Sequence, residues 1–136
     1  METIAKSARQ ASIVSASLTT ELKNKALEAV KAGLNAAAEA IFRANQADME
    51  SAADGGLAGP LVKRLKFDRG KLDGVLAGID TLIKLEDPVG QRINAVKLDD
   101  GLVLERVRCP IGVLGIVFES RPDALVQIST LALKSG

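Results

Sequence analysis

The sequence predicts an α/β protein with a helical first half, a β-hairpin arm, and then a strand, a turn and a helix in the order of a βαβ unit. Three observations carry that reading. Apolar residues recur at intervals of three and four through most of the first 90 positions. Two extended runs of mixed polarity flank Asp99-Asp100-Gly101, a hairpin turn signal. Residues 111–118 are continuously apolar and run into the polar turn Glu119-Ser120-Arg121-Pro122-Asp123.

Taken in order, Ile4, Ala8, Ala11 and Val14 predict a first helix. Thr19 or Thr20 is the expected N-cap of a second, with Glu21 favoured in its first turn by the helix dipole. Its expected apolar face is Leu22, Ala26, Val30, Leu34, Ala37 and Ile41. A short helix over 46–53 should stop at Asp54-Gly55-Gly56, where glycine adopts the left-handed C′ conformation. After Gly59-Pro60, residues 61–65 are expected to form one or two turns. Asp68 caps the next helix, whose expected buried face is Leu72, Val75, Leu76, Ile79, Leu82 and Ile83. Gly74 and Gly78 each cost about 1 kcal/mol relative to alanine there, so a close backbone approach is expected over them. Asp87-Pro88 ends the helical half.

Residues 92–98 and 102–108 then form the predicted hairpin. Arg92, Asn94 and Lys97 in one run and Glu105, Arg106 and Arg108 in the other make it wet, so it has one exposed face or projects from the body. Residues 111–118 are expected to be a strand covered on both faces, with Gly112 and Gly115 allowing close packing. Ser120-x-x-Asp123 matches a capping box, Pro122 suits the first helical turn, and 124–134 form the helix that Ser135-Gly136 ends. A parallel partner strand is expected past Gly136. The division is 1–90 helical, 91–108 hairpin arm, and 109–136 strand-turn-helix.

Composition narrows the chemistry. At 136 residues there is room for one domain, which would bury about two-thirds of its extended surface. Lys and Arg number 18 against 17 Asp and Glu, so no basic field recruits nucleic acid. Three Phe and no Tyr or Trp leave few stacking platforms for single strands. One Cys excludes an internal disulfide and favours a reducing compartment. No apolar run approaches the ~20 residues of a membrane span, and the first residues lack a signal-peptide core; a cytoplasmic location is expected. With no His and one Cys, zinc-ribbon sites, a Ser-His-Asp triad and a Cys-His pair are all excluded within the chain.

The turn at 118–123 is the candidate site, since open α/β sheets place ligands at the carboxyl end of a strand and the start of a helix. One reading is a well-capped helix and nothing more. The other is a binding turn, with Arg121 beside exposed backbone N–H groups where an anion is favoured. A surface ion pair from Arg121 to Glu119 or Asp123 is the alternative for that side chain. Gly112-x-x-Gly115 is no dinucleotide fingerprint, because G-x-G-x-x-G is absent from the chain. Cys109 precedes the expected strand and has only Arg108 and Arg106 nearby in sequence to activate its thiol, a poor position for a nucleophile.

Cys109-Pro110-Ile111-Gly112-Val113, Val117-Phe118-Glu119-Ser120-Arg121-Pro122 and Leu131-Ala132-Leu133-Lys134-Ser135-Gly136 resemble the amino-terminal region of the γ-glutamyl phosphate reductases. This family of glutamate-5-semialdehyde dehydrogenases is the proline-biosynthesis branch of the aldehyde dehydrogenase superfamily. The similarity spans most of the chain and is strongest from Asp87-Pro88-Val89-Gly90 onward, with F-E-S-R-P its most specific element. The resemblance implies the amino-terminal part of a modified Rossmann domain and NADPH-dependent reduction of L-glutamate 5-phosphate to glutamate 5-semialdehyde. In that chemistry a cysteine attacks the acyl phosphate, phosphate leaves, and hydride reduces the thioester. Family members carry the nucleophile well beyond the position of Gly136, so no catalytic residue, and no activity, is expected of this chain alone.

The same resemblance puts Phe118, Glu119 and Ser120 against the cofactor, Arg121 on an anion of substrate or cofactor, and no metal in the site. The superfamily commonly has Trp-Asn before the Phe-Pro of this turn, the Asn helping to hold the oxyanion. Here Glu119-Ser120 stands before Arg121-Pro122, which leaves the oxyanion role open, with Ser120 a candidate. The 91–108 hairpin is implied to join subunits of a homo-oligomer; neither nucleic acid nor membrane is an expected partner. Two alternatives belong to the same sequence: the reductase part of a bifunctional pyrroline-5-carboxylate synthase or another aldehyde dehydrogenase branch, and a non-catalytic subunit-interaction module.

Overall fold

In the computed structural model, which describes residues 2–136, six helices and one antiparallel hairpin follow in the order α1 (Glu2–Ser15), α2 (Thr20–Ala36), α3 (Ala38–Asp54), α4 (Gly59–Leu65), α5 (Arg69–Lys84), β1 (Arg92–Asp99), β2 (Leu102–Val107) and α6 (Pro122–Ser135). Helices α2, α5 and α6 pack on one another, while α3 leans on α2 and carries α4. The core is Leu27, Ala38, Phe67, Leu72, Val75 and Ile79, flanked by half-buried Leu34, Ile41, Phe42, Leu76, Leu82, Ile83, Val126 and Leu133. Each fully buried leucine or isoleucine there contributes about 1.5–3 kcal/mol. No helix among the described residues is long and apolar enough to cross a membrane.

The caps form where turn chemistry places them. Thr19 is the N-cap of α2, its Oγ1 accepting from Leu22 N at 3.3 Å, and Asp68 caps α5 by accepting from Lys71 N at 3.1 Å. Helix α3 closes in a Schellman motif: Leu57 N donates to Ala52 O and Gly56 N to Ala53 O, both at 3.0 Å, with Gly56 at φ +73°. The expected short helix over 46–53 is therefore the second half of the 17-residue α3. The single expected stripe running from Leu22 to Ile41 is broken at Ala37, a one-residue turn at φ −88° and ψ 3° between α2 and α3.

The buried face of α2 differs from the expected one. Leu22 is 53 % exposed and Val30 39 %, whereas Leu27 and, unexpectedly, Lys23 are fully buried. Residues 23 and 27 lie one position around the helix from 22 and 26, about 100° away, and α5 and α6 pack on that side. Lys23 is tolerated because its Nζ meets Asp87 Oδ2 at 2.8 Å and Oδ1 at 3.1 Å. Asp87 also accepts from Thr20 Oγ1 at 3.2 Å and from Val89 N at 3.0 Å. Burial pushes the Asp87 carboxyl up. The Lys23 ammonium, the Val89 N–H and the Thr20 hydroxyl together outweigh that and hold it below the usual carboxylate range.

Two further buried polar groups tie elements together. Asn45 uses both ends of its amide: Nδ2 donates to Leu65 O at 2.8 Å, and Oδ1 accepts from Phe67 N at 2.7 Å. That clamp fixes the α4–α5 junction and seats Phe67 in the core. Lys134 of α6 donates to Asn24 Oδ1 at 2.7 Å and to Ile83 O at 3.4 Å, so it bonds α6 to both α2 and α5.

The α5 face is as expected, with Leu72, Val75 and Ile79 buried. Its glycines are not under a crossing backbone. A Cβ at Gly74 or Gly78 would meet nothing within 4 Å. Both floor an open groove of about 260 Å³ against Val126, Thr130 and Leu131 of α6. Helix α1 forms over the expected residues but buries none of them, and Ile4 and Val14 face solvent.

The hairpin forms at the expected turn, with Gly101 at φ +76° and Val96 opposite Leu104. Every residue of both strands is exposed, and Arg92 pairs with Glu105 at 2.8 Å across them. Residues 111–118 depart most from expectation. They form no strand, and no parallel neighbour lies beside them among the described residues. Val117 is fully exposed and Ile111 88 % exposed. A strand is assigned by its ladder of hydrogen bonds, so an apolar run without a partner stays irregular. Gly112 serves a backbone turn at φ +107°, and Gly115 has open space around it, so neither mediates close packing in a strand.

Candidate functional site

The 118–123 turn sits at the amino terminus of α6, and the helix does not start as a capping box would. Arg121 is the N-cap residue at φ −138° and ψ 82°, no side chain caps it, and Pro122 opens the helix. Asp123 is thus the second helical residue, one short of the position that a capping box needs. Ser120 precedes it at φ +53°, the one non-glycine positive φ among the described residues. A left-handed conformation costs a non-glycine residue about 1–2 kcal/mol, and strain of this kind concentrates at functional turns. Phe118 is 44 % exposed, Glu119 is exposed and Ser120 is half-buried, so an aromatic ring, a carboxylate and a hydroxyl stand at three successive positions with surface to offer.

Arg121 does not make the surface ion pair. Among the described residues neither Glu119 nor Asp123 reaches it. Instead Arg121 and Asp123 share a cleft of about 470 Å³ with Arg64 and Lys71. Arg64 comes from the end of α4 and Lys71 from the first turn of α5. Lys71 Nζ donates to Arg64 O at 3.3 Å, and the Asn45 clamp and the Asp68 cap hold the backbone between them. None of the three cations is paired with a carboxylate among the described residues. Asp123 Oδ1 is buried without a hydrogen-bond partner, and its Oδ2 accepts only a 3.4 Å contact from Gln127 Nε2.

The turn therefore shares its cleft with cationic groups, two of which, Arg64 and Lys71, sequence reasoning did not find. Arg64 and Lys71 carry no motif. They lie far from Arg121 along the chain, and only helix packing joins them to it. Cys109 is exposed and lines a different cavity, of about 510 Å³, with Pro88, Val89, Pro110, Ile128 and Ala132. No residue lines both cavities.

Comparison with known proteins decides the family. No protein-family profile matches the chain. It is 55 % identical over 136 residues to the γ-glutamyl phosphate reductase of Pelotomaculum thermopropionicum, which covers all of this chain and 31 % of that protein. Over 128 residues it is 57 % identical to the Acetivibrio thermocellus enzyme of the same name. Among solved structures, the γ-glutamyl phosphate reductase of Saccharomyces cerevisiae superimposes with a TM-score of 0.94 at 42 % identity over 98 % of the chain. That of Thermotoga maritima gives 0.92 at 40 %.

The chain belongs to the γ-glutamyl phosphate reductase family. It corresponds to about the amino-terminal 31 % of its family relatives. The α/β architecture, with six helices and one hairpin among the described residues, is that of the solved reductases over nearly its whole length.

Proposed function

We propose that the chain is the amino-terminal part of an NADPH-dependent reductase that converts L-glutamate 5-phosphate to glutamate 5-semialdehyde in proline biosynthesis, in the cytoplasm. The observation that carries this reading is 55 % identity, along the full length of the chain, to a protein named for that reaction. In this reading residues 1–90 and 109–136 belong to a modified Rossmann domain. Residues 91–108 are the arm that joins subunits, which suits a ribbon exposed on every residue.

The groups at the turn fit anionic ligands. Arg121 offers a planar fork to a carboxylate or phosphate, and Lys71 a point charge beside it. Phe118 presents an apolar face suited to a flat ring, and Ser120 and Glu119 supply polar contacts at its edge. Phe118, Glu119 and Ser120 would hold the nicotinamide side of NADPH, which supplies hydride when bound. The chain's own part is to bind and orient. Arg121 neutralises an anion in the cleft, and the strained Ser120 aims the turn. The nucleophilic cysteine belongs to a segment outside this chain, since Cys109 lines a cavity without Arg121.

The test is NADPH oxidation with enzymatically generated γ-glutamyl phosphate, measured for a longer protein carrying this segment and for the 136-residue chain. Turnover by the longer protein and none by the chain is the expected result. Absence of NADPH-dependent reduction in the longer protein would overturn the reading in favour of a subunit-interaction role.

A further inference from the structure

We infer that the cleft formed by Arg64, Lys71, Arg121 and Asp123 seats the α-amino-acid head of the substrate, with its carboxylate on the cations and its ammonium on Asp123. The assignment rests on the reductase reading above and names which part of the ligand Arg121 serves. Three cations from α4, α5 and the start of α6 face one cleft without a carboxylate partner among the described residues. Such a set asks for an anion. Asp123 lines the same cleft, its Oδ2 held only by a 3.4 Å contact from Gln127 Nε2, so a carboxylate stands among the three cations and asks for a stronger hydrogen-bond donor.

The two demands together discriminate among the anions of the reaction. A phosphoryl group, an acceptor with up to two negative charges, would satisfy the cations but sit against the Asp123 carboxylate as a like charge. An α-amino-acid head carries –COO⁻ and –NH₃⁺ on one carbon. In the inferred seating the carboxylate would lie along the Arg121 fork, and the ammonium would bring the Asp123 carboxylate a charged donor. At about 470 Å³ the cleft has room for that head and the start of its side chain. Asp123 then acts as a specificity residue, selecting an amino acid over the corresponding dicarboxylic semialdehyde.

The reverse reaction separates the ligands, because glutamate 5-semialdehyde, phosphate and NADP⁺ are varied independently. In an active reductase carrying this segment, Asp123→Asn and Arg121→Ala should each lower kcat/KM for the semialdehyde by about ten- to a hundred-fold. The KM values for phosphate and NADP⁺ should stay within about two-fold, a change worth only ~0.4 kcal/mol. Wild type should prefer glutamate 5-semialdehyde to 5-oxopentanoate, which lacks the amino group, and Asp123→Asn should erase that preference. Unfolding midpoints measured in parallel show whether each variant is folded, and Arg64→Ala supplies an independent cationic variant should one of them be unstable. A rise confined to the phosphate KM, or to the NADP⁺ KM, overturns the head-group assignment while leaving Arg121 an anion contact. Full activity with unchanged semialdehyde kinetics overturns the assignment alone, whereas a wild-type protein without NADP-dependent activity overturns the reductase reading beneath it.

Discussion

Asp87 shows how one carboxylate determines what a helix can bury. Lys23 has no exposed surface, and its ammonium is tolerable only because Asp87 meets it with both oxygens. Asp87→Asn would keep the Val89 N–H bond but leave a buried cation without its counter-charge. The predicted cost is about 3–5 kcal/mol in urea unfolding at pH 7; a loss under 1 kcal/mol would mean that water reaches Lys23. The sign of the pH dependence follows from the lowered carboxyl. Its stabilisation is fully present above the unfolded value of about 3.9 and is lost as pH falls through the lower folded value. The variant should therefore show a flatter acid limb than the native chain. Cys109 is the contrasting residue, exposed and away from the Arg121 cleft. Cys109→Ser in an active reductase carrying this segment is expected to leave kcat within a few-fold, and a fall of several orders of magnitude would make it catalytic.

Among the elements, α5 and the hairpin make opposite use of exposure. The glycines of α5 open onto a groove instead of a neighbouring backbone. Gly74→Ala and Gly78→Ala should therefore each stabilise this chain by up to about 1 kcal/mol, the helix-propensity difference. A drop in the melting temperature of either variant would reveal a packing partner over the groove. The hairpin exposes all its residues, and Val103 and Val107 share one face of β2 by the period-two rule. If this arm joins subunits, replacing both valines with Lys should lower the oligomeric mass of an active reductase in light scattering. An unchanged mass would remove the arm from the subunit interface.

For the whole molecule, the decisive feature is apolar surface left without a partner. Ile111, Val113, Leu114, Ile116, Val117 and Phe118 are exposed, as are Leu125 and Leu131 of α6. A run of exposed apolar side chains whose backbone joins no ladder is a template for intermolecular association. The isolated chain is expected to be marginally stable or to aggregate, its light scattering rising with concentration. A cooperative thermal transition with a monomeric mass at all concentrations would contradict this.

Local chemistry was legible in the sequence wherever it depended on neighbours along the chain. Thr19, Asp68, Gly56, Gly101 and Pro122 ended or began elements as their side chains and φ preferences dictate, and Leu72, Val75 and Ile79 marked a face by spacing alone. The motif around Phe118-Glu119-Ser120-Arg121-Pro122 identified the family, because a run of specific residues survives without any knowledge of packing. Tertiary structure alone decided the rest. Spacing offered Leu22 and Val30 as the buried stripe of α2, but the positions of α5 and α6 chose Lys23 and Leu27. An apolar run suggested a strand at 111–118, yet a strand needs a partner's N–H and C=O groups and none stands beside it among the described residues. Arg64 and Lys71 reach Arg121 only through the folded junction of α4 and α5. A cleft assembled from three helices is a property of their packing, which no window along the sequence contains.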